Sequence, residues 1–427
     1  MEEELDIISE HSLEKKSGKK LVEKLLDNIT KAVEEASEIR DTEAAKNPTV
    51  IMAIQVVEKF LQKSHCVCYG GIAINAHLPD TLKFYDFAKV LPDYDFYSMH
   101  PKKDVALLMK MLHDAGLPNV HSNEGLHEGT TKVFVDFVGV ADITYMPSFL
   151  YNTILENSMV LNGIHYVDAD FLRMGMYLEL SRPRGDVDRW KKVYLRLLYL
   201  NKAKPPMFKG CRNKFKNVIP KSLHSELCAY FSKHDNIYAG SELQRVYKTP
   251  QRKNIKWVFT GNSPVLAFSK NPFTQIEELG EICNKYYSTR VSIVKYTAIH
   301  DIIPPIAVCK AGNVFLCALV GEGACISYNT LDIVEDIRLR VSSLDSLIYL
   351  YYLLSYVSKL DGILPQTALC FASKLTQISI HTRDRDSAGK YPPFAITCSG
   401  HQTSKQSLIR ERFERIRTKK RVTRKKR

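Results

Sequence analysis

Leu91-Pro92-Asp93-Tyr94-Asp95-Phe96-Tyr97-Ser98 reads as a β-strand carrying two acids one residue apart. Side chains at i and i+2 of a strand leave the same face, so Asp93 and Asp95 present two carboxylates together while Tyr94 and Phe96 turn toward a core. Upstream, Val67-Cys68-Tyr69 ends an apolar strand, and Gly70-Gly71 then leads into Ile72-Ala73-Ile74-Asn75-Ala76, the start of a helix. Downstream, Val140-Ala141-Asp142-Ile143-Thr144-Tyr145 is a further strand with a third acid. Hard cations such as Mg²⁺ take carboxylate oxygens and keep positions for water or phosphate. A third carboxylate from a neighbouring strand allows two ions to clamp the attacking and leaving oxygens of a phosphoryl transfer. An isolated Asp-x-Asp reads as a solvated strand end; the glycines before this one and the acid after it reverse that reading.

Asp136, in Val135-Asp136-Phe137, rivals Asp142 for the third position, since it too has apolar neighbours. Asp142 is favoured because Ile143-Thr144-Tyr145 continues the strand beyond it, with a kink or bulge expected at Gly139. Glycines at a strand-to-helix junction permit unusual dihedrals and close approach, and helix N-terminal amides favour phosphate. Gly70 and Gly71 are therefore the expected seat of a nucleotide triphosphate, with Asn75 a polar contact one turn into the helix. A further nucleotide- or RNA-binding set is expected in Ser181-Arg182-Pro183-Arg184-Gly185-Asp186. Its arginines, with Arg189, suit phosphate through their planar guanidinium groups. Asp186 is placed to cap a helix running to about Asn201, with Trp190, Val193, Tyr194 and Leu197 on its buried face and Arg189, Lys192 and Arg196 on another.

The chain has 427 residues, 45% of them hydrophobic, enough for two or three domains with substantial cores. Ten cysteines are scattered without a disulfide framework, and neither Cys66-Val67-Cys68 nor Cys398-Ser399-Gly400-His401 has partners for structural zinc. The acidic start Met1-Glu2-Glu3-Glu4 is unlike a signal peptide, and the apolar run from Leu347 to Val357 is too short to span a membrane. These features predict a soluble protein of a reducing compartment. Of the net charge of +13, the segment His401–Arg427 contributes +10, through 12 Lys/Arg against Glu411 and Glu414. Such a tail binds polyanions or serves as a localisation signal. Leu408, Arg412, Arg415 and Lys419 could share a helix face in it, while Thr418 to Arg427 reads as disordered when free.

Charged helical sequence from Ser17 to Ala45 precedes a helix over Val50–Gln62, whose apolar face is Ile54, Val57, Phe60 and Leu61. After the Asp93/Asp95 strand, a helix from Lys102 to Ala115 stops at Gly116 and Pro118, and Lys202 to Pro206 reads as a linker. The second half echoes the first. Ala239-Gly240-Ser241 matches Tyr69-Gly70-Gly71, Pro264 to Pro272 matches Pro92 to Pro101 with one residue fewer, and Ala324 to Leu331 matches the Asp142 strand. In that overlay Asp93, Asp95 and Asp142 fall on Val265, Ala267 and Cys325, so the second copy keeps the fold and lacks the acids. The expected class is α/β (α+β), mixed sheets flanked by helices: a helical N-terminal segment (1–62), a catalytic domain carrying the three acids (63–203), a degenerate copy of it (204–400) and a basic tail (401–427).

Gly70-Gly71, Asp93/Asp95 and Asp142 resemble the polymerase-beta-like nucleotidyltransferase superfamily. More narrowly, Tyr69 to Asn75, Pro92 to Ser98, Ala141 to Pro147 and Tyr177 to Trp190 resemble the poly(A) polymerase catalytic subunits of large DNA viruses, poxviruses and giant viruses among them. The resemblance is strong from about residue 60 to 200. The stretch between Gly71 and Asp93 is roughly double the superfamily's usual gap, which implies an inserted loop around Pro79-Asp80 and Phe84-Tyr85. The resemblance implies template-independent addition of AMP from ATP to RNA 3′ ends, with Asp93, Asp95 and Asp142 holding two Mg²⁺ or Mn²⁺ ions. It leaves open whether the chain works alone, as a homodimer or with a viral processivity subunit, and it implies no membrane and residence in the host cytoplasm at the viral factory or in the virion. The alternatives are a nucleotidyltransferase acting on another acceptor, or an RNA-binding scaffold without catalysis.

Overall fold

The protein is described by a computed structural model over residues 16–86, 89–90, 93–206, 219–248, 263–299, 302–334, 337–357, 365–383 and 391–425. Lys16–Ala45 forms a long helix, α1. Its Leu25, Leu26, Ile29 and Val33 are all more than half exposed. Helix α2 (Pro48–Lys63) starts with Pro48 in the first turn and Asn47 as N-cap, whose side chain accepts a hydrogen bond from the Thr49 amide at 3.0 Å. Ile54, Val57, Phe60 and Leu61 are buried, as their helical spacing requires.

The first half is built on β1 (Val67–Tyr69), α3 (Gly70–His77), β2 (Tyr94–Ser98), α4 (Pro101–Asp114), β3 (His121–Glu124), β4 (Thr130–Val135) and β5 (Val138–Tyr145). It continues through α5 (Ser148–Glu156), β6 (Met159–Leu161), β7 (Ile164–Tyr166), α6 (Ala169–Leu180) and α7 (Trp190–Ala203). The sheet order is β3-β4-β5-β2-β1-β7-β6, with β2 parallel to β5, β1 parallel to β7, and every other pair antiparallel. Helix α4 gives way to Gly116 at φ +74°, the left-handed conformation that glycine adopts freely. The β4–β5 hairpin turns on Asp136 and Phe137, both at positive φ. The expected bulge lies just beyond, where the register shifts between Val133 and Phe134 opposite Gly139–Ala141.

The second half comprises α8 (Lys221–Lys233), β8 (Ile237–Tyr238), α9 (Leu243–Lys248), β9 (Val265–Ser269), α10 (Pro272–Asn284), β10 (Val291–Tyr296), β11 (Ile306–Ala311) and β12 (Val314–Gly321). It continues through β13 (Ile326–Val334), β14 (Ile337–Ser342), α11 (Leu344–Tyr356), α12 (Pro365–Thr382), β15 (Cys398–Ser399) and α13 (Lys405–Lys425). Its sheet, β10-β11-β12-β9-β8-β14-β13-β15, repeats the first strand for strand and adds β15 at one edge. The directions match too: β9 is parallel to β12, β8 to β14, and the other neighbours are antiparallel. Two tandem copies of one fold are therefore present, joined by a continuous core in which α11 packs on α6.

The register corrects the overlay read from sequence. Ser98 Oγ accepts from the His100 amide at 2.8 Å just before Pro101, and Ser269 Oγ accepts from the Asn271 amide at 3.0 Å just before Pro272. No residue is missing between strand and helix, so Asp93 and Asp95 correspond to Pro264 and Leu266, not to Val265 and Ala267. Asp142 lies opposite Asp95 on the parallel neighbour, and Leu266 there faces Ala318. Cys325 stands ahead of β13, the counterpart of β6, and is not the match for Asp142. The prolines misled the overlay, because Pro92 and Pro264 look alike and sit one position out of step. Its conclusion survives: all three acids are absent from the second copy.

Other expectations are revised. Asp186 makes no side-chain cap: a single 3₁₀ turn over Val187–Arg189 precedes α7. Val193 and Leu197 are buried on that helix, and Trp190 and Tyr194 are half-buried. The helix runs to Ala203, into the segment read as a linker. Cys325 and Cys398 form a disulfide with Cα atoms 5.4 Å apart, so the cysteines are not all unpaired. Cys283, Cys309 and Cys317 bring three buried thiols within 4.8 Å of one another, a cluster that spacing along the chain gave no sign of. The tail is helical through Lys425. Among the described residues no helix is long and apolar enough to cross a membrane.

Candidate active site

Strand register assembles the acids. Asp95 on β2 and Asp142 on β5 are direct partners across a parallel pair, and Asp93 stands one step before β2 on the same face as Asp95. Asp95 and Asp142 are half-buried and Asp93 is exposed. The three sense one another. Burial first, then the charges of Asp93 and Asp142, push the Asp95 carboxyl up to about 7, against the pull of Lys132 and Arg189. Burial also raises Asp142, while the hydrogen bond and charge of Lys132 lower it and Asp93 raises it. Asp136 is elsewhere, in the hairpin turn, where its Oδ1 accepts from Asn119 Nδ2 at 3.0 Å.

Lys132 was not foreseen from the sequence. It lies opposite Asp142 on β4, and its Nζ sits 2.5 Å from Asp142 Oδ2. A lysine on the strand that pairs with an acid-bearing strand was the available signal, but it needs the register, which the bulge shifts. The second copy places Val308 opposite Ala318, so the cation and its acid are lost together.

The glycine turn meets this cluster directly. Gly70 has φ +71°, and a Cβ there would run into the Asp95 carboxylate. Tyr69 makes no side-chain cap to α3, so the first amides of that helix receive no acceptor from their cap residue. At Gly71 a Cβ would lie 2.5 Å from Tyr85 Oη and 3.0 Å from Arg196 Nη1. Asn75 also has a structural task. It is buried, and its Oδ1 accepts the Phe84 and Tyr85 amides at 3.0 and 3.2 Å, which fastens the inserted loop to α3.

The arginines separate. Arg189 faces the acids: it is among the charges that lower Asp95, and its Nη2 lies 3.4 Å from Glu179 Oε1. Lys192 is brought down by burial and by Arg196 and Arg189, with Asp93 acting in the opposite sense. Arg189, Lys192 and Arg196 thus form a cationic flank running from the acids toward Gly71. Arg184 is exposed. Arg182 is half-buried, its charge acting on Glu179 and on the buried Tyr349 of α11, and it is not brought into the acid cluster. A separate cleft of about 1190 Å³ opens at the far ends of β2 and β5, lined by His100, Lys102, Tyr145 and, from α13, Glu411, Glu414 and Arg415. There Arg412 Nε donates to the Glu124 carbonyl at 2.7 Å and Arg415 Nε to Glu124 Oε1 at 2.8 Å.

A mixed sheet with paired acids on two parallel strands, beside a glycine turn into a helix, defines a nucleotidyltransferase-like fold. The architecture of the whole chain matches the crystal structure of the Megavirus polyadenylate synthase. That match has a TM-score of 0.72 at 19% identity and covers 96% of this chain and 84% of that one. The profile of the family described as poly(A) polymerase catalytic subunit matches residues 55–186. An African swine fever virus protein whose name gives it as a poly(A) polymerase catalytic subunit is 30% identical over 288 residues, 58% of this chain and 58% of that protein. A protein of the same name from Acanthamoeba polyphaga mimivirus is 28% identical over 188 residues, 43% of this chain and 31% of its own length. The matches thus span less than two thirds of these relatives, and they bear out the family resemblance read from the motifs.

Proposed function

We propose that this chain is the catalytic subunit of a viral poly(A) polymerase, adding AMP from ATP to RNA 3′ ends without a template. The observation that carries the reading is the direct pairing of Asp95 with Asp142, with Asp93 on the same face and Gly70 against the Asp95 carboxylate. The family profile and the viral relatives support it. The donor set fits Mg²⁺ or Mn²⁺: three carboxylates crowd a half-buried site, and burial with the like charges of its neighbours raises one of them, Asp95, to about 7. Asp93, Asp95 and Asp142 would hold two such ions. Divalent ions bound there supply charge neutralisation at the phosphates and acidify the attacking hydroxyl.

The chain's own residues do the rest. Gly70 and Gly71 admit the triphosphate to the first amides of α3, and Arg189 and Lys192 offset its charge. The RNA 3′ oxygen forms a bond to the α-phosphorus, its proton leaves, and the bond to the β-phosphate oxygen breaks to release pyrophosphate. Catalysis is positioning and electrostatics. The second copy, without acids, serves as a packing partner and one wall of the cleft, with the division between the two near residue 204. A processivity partner or a second copy of the chain, an RNA-binding role for the tail, and residence in host cytoplasm or virion belong to the same proposal.

The test is primer extension with purified protein, a labelled nucleotide, Mg²⁺ or Mn²⁺ and an RNA oligonucleotide. An ATP-specific ladder, absent with Asp95→Asn, is the expected result. Transfer to a protein or small molecule with no RNA ladder would favour another acceptor, and no transfer under any condition would leave only a scaffold.

A further inference from the structure

We propose that Arg196, braced by Phe84 and Tyr85 of the inserted loop, is the receptor for the terminal phosphates of the incoming nucleotide. It is thus the feature by which the site distinguishes a triphosphate from a monophosphate. The inference rests on the reading of Gly70-Gly71 as the nucleotide seat and extends it to residues outside the acid cluster.

The two glycines are there for different reasons. Gly70 needs positive φ and room for the Asp95 carboxylate. Gly71 needs room for something else, since the groups standing over it are Tyr85 Oη and Arg196 Nη1. Adjacent Cα atoms are about 3.8 Å apart, so a carboxylate and a guanidinium flank the turn on consecutive residues. An anion lying along the first amides of α3 would meet the acids at one end and Arg196 at the other.

Arg196 is held for this task. Its guanidinium lies 4.4 Å from the centre of the Phe84 ring and 5.6 Å from that of Tyr85. Its Nη2 donates to Tyr85 Oη at 3.1 Å. The loop carrying both rings is pinned by the buried Asn75 through two backbone amides. Among the described residues no ion pair joins Arg196 to a carboxylate; Glu179 feels its charge from further off, and the nearby Lys192 adds like charge. A fixed, half-exposed guanidinium with spare donors suits phosphate oxygens, and its pre-set geometry lowers the ordering cost of binding. The insertion between Gly71 and Asp93 thereby acquires a physical purpose: it supplies the brace.

The test is binding of a non-hydrolysable ATP analogue and of AMP to the full-length protein and to Arg196→Ala, Arg196→Lys and Tyr85→Phe, with thermal melts alongside. Removing a charge-assisted hydrogen bond should weaken the ATP analogue about ten- to hundredfold while AMP binds as in wild type. Arg196→Lys should recover part of the loss, lacking the fork, and Tyr85→Phe should show a smaller loss of the same kind. Equal losses for AMP and the analogue, an unchanged affinity for the analogue, or weakened primer binding in place of weakened nucleotide binding would each overturn the assignment. Its failure is separable from failure of the polymerase reading. A wild-type protein that extends primers while Arg196→Ala keeps its KM for ATP sinks the clamp alone. A wild-type protein that binds the analogue through Arg196 yet extends no primer sinks the polymerase and leaves the clamp.

Discussion

Asp95 is the point where burial and like charge meet, and its protonation should report on the whole site. Burial and the charges of Asp93 and Asp142 raise its carboxyl to about 7. Between the ordinary aspartate range and that value, the folded protein binds a proton that the unfolded chain has released. Stability contributed by this group is therefore present at low pH and falls as pH rises toward 7. Asp95→Asn removes the penalty without changing shape. The metal-free variant should melt a few degrees above wild type at pH 8, and the two should coincide near pH 4, where both carry a neutral side chain. Added Mn²⁺ should stabilise wild type and leave the variant unmoved. A variant no more stable than wild type at pH 8 would show that burial and the neighbouring acids do not raise the Asp95 carboxyl. The acid spacing was readable because a two-residue period is a local property of a strand. Lys132 was not readable, since its position opposite Asp142 depends on a hairpin turn at Asp136-Phe137 and on a bulge beyond it.

The β1–α3 turn shows how an element enforces that geometry. Gly70 sits at φ +71° with the Asp95 carboxylate where a Cβ would go. Gly70→Ala should therefore cost about 1–2 kcal/mol for the backbone conformation and displace the carboxylate as well. The expected outcome is a lower melting temperature together with a loss of primer extension. Asn75→Leu removes the acceptor of the Phe84 and Tyr85 amides, so it should free the inserted loop and leave the turn intact, read as faster hydrogen exchange at those two amides. Helices and strands were legible where their period was long or their ends were punctuated, as in α2 and α4. The pairing between halves was legible as a pattern but not as a register. The short apolar strand Val265–Ser269 carries one polar mark, Ser269 at its end, and a proline match one position out of step decided its phase wrongly. Only the repeated seryl hydrogen bond ahead of Pro101 and Pro272 supplies the phase, and that bond forms in three dimensions.

The two copies are locked into one body by interactions that no local pattern could announce. Arg383, at the end of α12, pairs with Asp345 at the start of α11, with side chains only 4% and 2% exposed, and its guanidinium lies 5.4 Å from the ring of Tyr194 on α7. Arg383→Ala strands a buried carboxylate and should destabilise the protein by about 3–5 kcal/mol, read as a lower denaturation midpoint with loss of activity following the unfolding. The tail is tied down separately: Arg412 and Arg415 dock α13 on Glu124, the last residue of the edge strand of the first sheet. Beyond that anchor lie Lys419, Lys420, Arg421, Arg424, Lys425, Lys426 and Arg427. If this cationic end grips RNA, ending the chain after Thr418 keeps the docking arginines and removes seven charges. Primer affinity should fall, and the dependence of log K on log salt should flatten by about 0.7 for each phosphate that the shortened chain no longer neutralises. The KM for ATP should stay as in the full chain, because the proposed nucleotide seat is at α3 and α7, away from the tail. An unchanged salt slope would assign the end to localisation, since a signal read by a transport receptor has no reason to alter binding of a primer in a purified reaction.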